Sequence, residues 1–228
     1  MNILARGEKI QTDELKQLFS LVEGLQLTCI QDTDLPAINL EPFDLIFDLS
    51  FDAHEQQLAY YAGLKGKPVF VGAVKKQLAM AAHQYNKPIE CCLIGMNTLP
   101  TFIDRPLVEL SLLHEKDETL LKQTMQQLGL NYKLVEDRVG MVTPRIVLMI
   151  INEACYTLQE GTASMQDIDT SMKLGTNYPF GPFEWANNIG IKHVYETLVA
   201  LSEDTKDERY KICPLLKTIY LKKGTFLY

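Results

Sequence analysis

A change of hydrophobic period at about residue 138 divides this chain in two. Before it, short apolar runs alternate with helix-period segments; after it only helix-period segments occur. Asn2–Ala5, Leu25–Ile30, Phe43–Leu49, Pro68–Gly72, Cys91–Met96, Leu107–Leu113 and Tyr132–Val135 read as strands, being short, apolar and bounded by glycine, proline or polar residues. The run at Phe43–Leu49 is broken only by Asp44 and Asp48, as in a strand buried on both faces. Between the strands, helices are predicted from Thr12 to about Val22, over Ala53–Gly63, over Val74–Tyr85, and from a cap at Asp117 through Leu128 to a stop at Gly129. Thr12 is the expected cap of the first of these, with Asp13 and Glu14 in its first turn complementing the helix dipole. Strands alternating with helices imply a mostly parallel sheet covered on both faces. The expected fold is therefore α/β over residues 1–138, followed by an all-α domain over residues 139–228.

In the second half, Thr143-Pro144 reads as a helix start and Gly161 as its stop. Ile146, Val147, Met149, Ile150, Ile151, Ala154, Cys155 and Leu158 cover more than one face of that helix, so a homodimer through this domain is expected. Ser164-Met165-Gln166-Asp167 resembles a capping box and opens a helix that Gly175 is expected to close. Then comes Tyr178-Pro179-Phe180-Gly181-Pro182-Phe183-Glu184-Trp185. Two prolines fix φ, Gly181 tolerates angles closed to other residues, and four aromatics need cover. This is a stiff corner whose Pro182 suits the first turn of a short helix. Further helices are predicted from Ile191 to about Glu203 and from Arg209 to about Lys222.

Composition narrows the function. With 228 residues, 46% of them hydrophobic, the chain can bury a proper core. A net charge of −7 gives no electrostatic case for nucleic acid or an anionic membrane. No apolar run approaches the roughly 20 residues of a membrane span, and the first residues do not read as a signal peptide, so a cytoplasmic location is expected. Cys29, Cys91, Cys92, Cys155 and Cys213 form neither a disulfide framework nor a metal spacing, and read as buried thiols.

The run from Arg145 to Gly190 carries Asn152-Glu153-Ala154, Glu160-Gly161, Ala163-Ser164, Asp167-Ile168-Asp169, Met172-Lys173, Gly175 and the Tyr178 corner. In that order these closely resemble the C-terminal domain of 3-hydroxyacyl-CoA dehydrogenases. The resemblance implies a Rossmann-like first domain that binds NAD, an acyl-CoA substrate of fatty-acid or butanoate metabolism, and a histidine general base oriented by a glutamate. The glutamate matches Glu109 in Leu107-Val108-Glu109. Gly7 and Asp32 fall where the cofactor's diphosphate and ribose would be held, and Asn97 matches the asparagine that follows the base.

The first domain departs from the pattern at several points. Its turn after the first strand, Arg6-Gly7-Glu8-Lys9-Ile10-Gln11-Thr12, has one glycine where the dinucleotide fingerprint has three. The base position, by alignment of Leu93-Ile94-Gly95-Met96-Asn97-Thr98 with the family's Leu-His-Phe-Phe-Asn-Pro, is Ile94, which has no titratable proton. An insertion lies around Thr101 to Arg105, the helical arm after the second strand is missing, and Pro144 replaces an active-site amide. Two readings stay open: an NAD-dependent 3-hydroxyacyl-CoA dehydrogenase of weak or no activity, or a non-catalytic, dimerising acyl-CoA-binding or scaffold subunit.

Overall fold

The computed structural model describes residues 1–31 and 38–227. The chain forms two compact units, Met1–Met141 and Val142–Tyr228. The first is built on a seven-stranded sheet: β1 (Asn2–Arg6), β2 (Gln26–Ile30), β3 (Leu45–Asp48), β4 (Pro68–Gly72), β5 (Cys92–Met96), β6 (Leu107–Leu112) and β7 (Asn131–Leu134). Its order is β2-β1-β3-β4-β5-β6-β7, so the direction of winding reverses at β1. All neighbours are parallel except β5 and β6, which pair antiparallel with Ile94 opposite Leu112 and Met96 opposite Leu110. The expected mostly parallel sheet is present.

Successive strand residues point to opposite faces. Ile3, Ala5, Leu45, Phe47, Phe70, Ile94, Met96, Val108 and Leu110 share one face. There they pack with Leu15 of α1 (Lys9–Leu18) and with Leu121, Met125 and Leu128 of α4 (Glu118–Leu128). On the other face Leu4, Ile46, Val69, Val71 and Leu93 meet Leu58 and Tyr61 of α2 (Leu58–Tyr61) and Leu78 and Ala81 of α3 (Leu78–Tyr85). Burial on both faces is why the strand sequences read as continuous apolar runs.

Several helix boundaries differ from expectation, each for a local reason. The first helix starts at Lys9, not Thr12, because the Glu8 N–H finds an acceptor at Gln11 Oε1, 3.0 Å away. Thr12 is inside it, its hydroxyl donating to the carbonyls of Lys9 and Glu8. The segment read as a helix over Ala53–Gly63 is two short 3-10 turns, Phe51–Ala53 and Glu55–Gln57, leading into α2. The helix read from Val74 begins only at Leu78, because Asp52 takes the amides of Val74, Lys75 and Lys76 in a non-helical turn. Asp137 then accepts from the Leu78 and Ala79 N–H groups at 2.8 and 2.9 Å, capping α3 from a distant segment.

The second unit holds α5 (Thr143–Gln159), α6 (Met165–Thr176), α7 (Pro182–Ile189), α8 (Ile191–Thr205) and α9 (Pro214–Leu221). Ser164 caps α6, accepting from the Asp167 N–H at 3.2 Å and donating to its carboxylate at 2.6 Å. Gly175 does not end α6; Asn177, at φ 56°, does. The corner at Gly181 is held from below by Asp169, whose carboxylate accepts the Phe183 and Glu184 N–H groups at 2.8 and 3.0 Å. A Cβ on Gly181 would stand 2.2 Å from that carboxylate carbon. Trp185 gathers Tyr178 and Phe180 edge-on at 6.2 and 5.9 Å and leaves them half-buried, while the buried Phe183 packs on Phe226 at 4.7 Å. Cys155 and Cys213 are buried in this unit.

Candidate functional site

In an open α/β sheet the ligand crevice lies beyond the C-terminal ends of the strands where the winding reverses. Here that is the junction of β1 and β3, with α1 rising from it. A dinucleotide's diphosphate needs free amides at the start of the first helix and a backbone that lets it come close. The sequence supplies something else.

The strand ends are pressed together. A Cβ on Gly7 would lie 2.9 Å from Leu49 Cβ and 3.0 Å from Gln11 Oε1; one on Gly72 would lie 2.6 Å from Thr98 Oγ1 and 3.0 Å from the Leu49 carbonyl. Both positions need glycine for this approach, so Gly7 serves the protein's own packing. Gln11, only 3% exposed, sits in the middle. Its Nε2 donates to the carbonyls of Leu49 at 3.0 Å and Thr98 at 2.8 Å, while its Oε1 accepts from the Glu8 N–H. One side chain thus joins the ends of β3 and β5 and takes an amide at the start of α1.

The loop after β5 is folded down in the same place. Asn97, Thr98, Leu99, Phe102 and Ile103 are each at most 6% exposed. A buried loop must find partners for its backbone. They come from α1: Glu14 accepts from the Thr101 N–H at 2.7 Å and the Ile103 N–H at 3.3 Å, beside the Gln11 bond to Thr98. Burial holds the Glu14 carboxyl above the ordinary range, against the pull of these amides. The insertion around Thr101 to Arg105 is this loop, and Thr101 adopts φ 75° within it.

A buried charge pair underlies the crevice. Arg6, the last residue of β1, meets its register partner Asp48, the last of β3, at 2.5 Å with both side chains fully buried. The Tyr61 hydroxyl donates to the second Asp48 oxygen at 2.9 Å, and burial with the adjacent carboxylate raises its pKa. Asp52 accepts three amides after β4, from Val74, Lys75 and Lys76 at 3.0, 3.1 and 3.2 Å. Burial outweighs those bonds and pushes its carboxyl up to about 6. In sequence Arg6 and Gln11 stand only as members of the β1 turn and Asp48 only as a break in the β3 run, while nothing marks Asp52.

Ile94, at the aligned base position, and Glu109 lie on opposite faces of the sheet. Ile94 is fully buried on the face that packs α1 and α4. Glu109 lies on the opposite face, with Ser111, whose Oγ is 2.3 Å from where a Gly95 Cβ would be. The residue across from Glu109 is Asn97, whose N–H donates to the Glu109 carbonyl at 3.2 Å and whose Oδ1 accepts from Leu99 N–H at 3.4 Å. A histidine at position 94 would point into the core, away from Glu109. Asp32 lies outside the described residues.

A pocket of about 520 Å³ remains on the β2 side of the turn, lined by Gly7, Glu8, Lys9, Thr12, Cys29, Ile30 and Gln31. Burial pushes the Cys29 thiol up, with Lys16 partly opposing it, so the thiol is the resting form. Among the described residues no cluster of histidine, cysteine and carboxylate side chains could hold a metal ion. Nor is any described helix long and apolar enough to cross a membrane.

Residues 140–225 match the family model of the 3-hydroxyacyl-CoA dehydrogenase C-terminal domain. The helical unit is thus similar to the C-terminal domain of the 3-hydroxyacyl-CoA dehydrogenases. It is 45% identical to 3-hydroxyadipyl-CoA dehydrogenase of Escherichia coli over 93 residues, 41% of this chain and 20% of that protein. It is 40% identical to 3-hydroxybutyryl-CoA dehydrogenase of Bradyrhizobium diazoefficiens over 95 residues, 42% of this chain and 32% of that protein. The matched stretches therefore span a fifth to a third of these relatives. The fold extends further: (S)-3-hydroxybutyryl-CoA dehydrogenase of Ralstonia eutropha superposes with a TM-score of 0.75 over 100% of this chain and 99% of that one, at 19% identity. Members of the family use NAD on a Rossmann-type domain. The residues at the β1 turn of this chain do not fit that group: the Glu8 amide is bonded to Gln11, and the space between the β1 and β3 ends is filled by Leu49 and Gln11.

Proposed function

We propose that this chain is a non-catalytic member of the family, a dimerising subunit that keeps the helical unit and has given up the hydride-transfer chemistry. The observation that carries the reading is the register of β5 against β6. It puts Asn97, which has no useful proton affinity, opposite Glu109, and buries the aligned base position as Ile94. Proton transfer by a positioned base is worth typically ~10²–10⁴-fold, and a carboxylate alone cannot form the pair. Support also comes from the distribution of likeness: the family model matches residues 140–225, and the matches to named enzymes cover 41–42% of the chain.

A second reading is a dehydrogenase of low activity on a 3-hydroxyacyl-CoA, such as the 3-hydroxyadipyl or 3-hydroxybutyryl thioesters named for its relatives. The 45% identity over 93 residues favours it. For the favoured reading we place the protein in the cytoplasm as a homodimer, through the exposed Ile146 of α5 and Leu174 of α6, which are 58% and 82% exposed in the single chain. Calorimetric titration with acetoacetyl-CoA, beside light scattering, tests it. Heat of acyl-CoA binding without nucleotide, from a dimer, supports it. A monomer that takes up no acyl-CoA counts against it.

A further inference from the structure

The family's cofactor and this chain's crevice disagree, and the disagreement has a definite structural cause. We infer that Gln11 and Glu14 form a latch that fastens the loop of residues 97–105 to α1 and closes the switch-point crevice to a dinucleotide. The two residues lie three apart, on neighbouring positions of one helix face. Gln11 reaches inward to Thr98 and Leu49; Glu14 reaches the Thr101 and Ile103 amides. Between them they serve most of the loop's span, and Arg105 closes its far end by donating from Nε to the Thr101 carbonyl at 2.6 Å.

The closure lies on the β3 side of the β1 turn. One amide at the start of α1, that of Glu8, is bonded to Gln11 Oε1, and the carboxylate of Glu8 caps the same turn, where it would stand against an anion. A dinucleotide would have to break the Gln11 bonds to two buried carbonyls, leaving them unpaired, before any phosphate contact formed. A pocket stays open beside β2, while at the ends of β1 and β4 Leu49, Gln11 and Thr98 press against Gly7 and Gly72. The latch is independent of the missing base, although it rests on the same reading of the chain as non-catalytic.

The test is NADH fluorescence titration of the wild-type chain, with amide hydrogen exchange on the wild type, Gln11→Ala, Glu14→Ala and the double variant. The wild type gives no saturable NADH signal, and residues 98–103 exchange slowly. Each single variant raises exchange over residues 98–103 by at least about tenfold, while β6 and β7 stay protected. The milder Glu14→Gln, which keeps one acceptor, gives a smaller rise. Saturable NADH binding by the wild type overturns the inference, as does unchanged protection of the loop in the double variant. The titration needs no variant to fold. NADH binding without turnover would remove the latch and leave the missing-base reading standing, whereas turnover would remove that reading.

Discussion

The carboxylate of Asp169 occupies the space that a side chain at position 181 would need. It accepts the Phe183 and Glu184 amides at 2.8 and 3.0 Å, and a Cβ on Gly181 would come within 2.2 Å of it. The Asp-Ile-Asp segment of α6 and the Pro-Phe-Gly-Pro-Phe-Glu corner are thus two halves of one device: a helix cap delivered from another helix, with a glycine to let it in. Gly181→Ala should cost about 1–3 kcal/mol by overpacking, and Asp169→Ala about 1 kcal/mol through the lost cap. Because the alanine methyl and the carboxylate compete for one space, the double variant should lose less than the sum of the two. Urea denaturation of the four proteins measures this; additive losses would contradict the arrangement.

Ile94→His should not create a base. The side chain would enter the apolar layer between the sheet, α1 and α4, on the face away from Glu109. A polar group buried there without a partner costs about 1–3 kcal/mol. A lower denaturation midpoint with no NADH oxidation is expected. A stable variant with turnover would show that the face assignment is wrong.

Asp48→Ala should be among the most damaging single changes in the first unit. It withdraws the carboxylate from a fully buried Arg6 and from the Tyr61 hydroxyl. Breaking a buried pair from one side costs about 3–5 kcal/mol, whereas replacing both charges together is often close to neutral. Asp48→Leu with Arg6→Met should therefore recover much of the loss. Equal destabilisation of the single and double variants would argue against a buried pair.

Asp52 gives a pH signature. Its carboxyl is raised from 3.8 to about 6, so the fold prefers the protonated form. That contribution is complete below the unfolded value and is lost as pH rises through the folded one. Glu14 and Asp137 are shifted upward by burial as well, so the useful quantity is a difference. The unfolding free energy of wild type minus Asp52→Asn should fall between about pH 4 and pH 7. A flat difference would mean that the three amides, not burial, set its protonation.

Much of the architecture is legible in the sequence. The strand at Pro68–Gly72 has the bounds its sequence predicts, and the others lie within two residues or so of theirs, because strands buried on both faces leave uninterrupted apolar runs. The helical unit was legible through the Tyr178 corner, whose prolines and glycine leave little conformational choice. What failed was capping supplied from afar. Asp52 and Asp137 sit 22 and 59 residues from the amides they receive, and no local pattern marks such a partner. The closed crevice was only half visible. The lack of glycines at the β1 turn is legible, but the Gln11 bond to Thr98 spans 87 residues, and in sequence Gln11 reads only as a residue of that turn. Likewise, aligning Ile94 with the base said nothing of which face the strand turns towards Glu109.

The most direct test of the account is the steady-state oxidation of NADH by the purified chain with acetoacetyl-CoA, followed by absorbance against a blank without protein. The account predicts a rate indistinguishable from the blank. A rate that scales with protein concentration and saturates with acetoacetyl-CoA would contradict it.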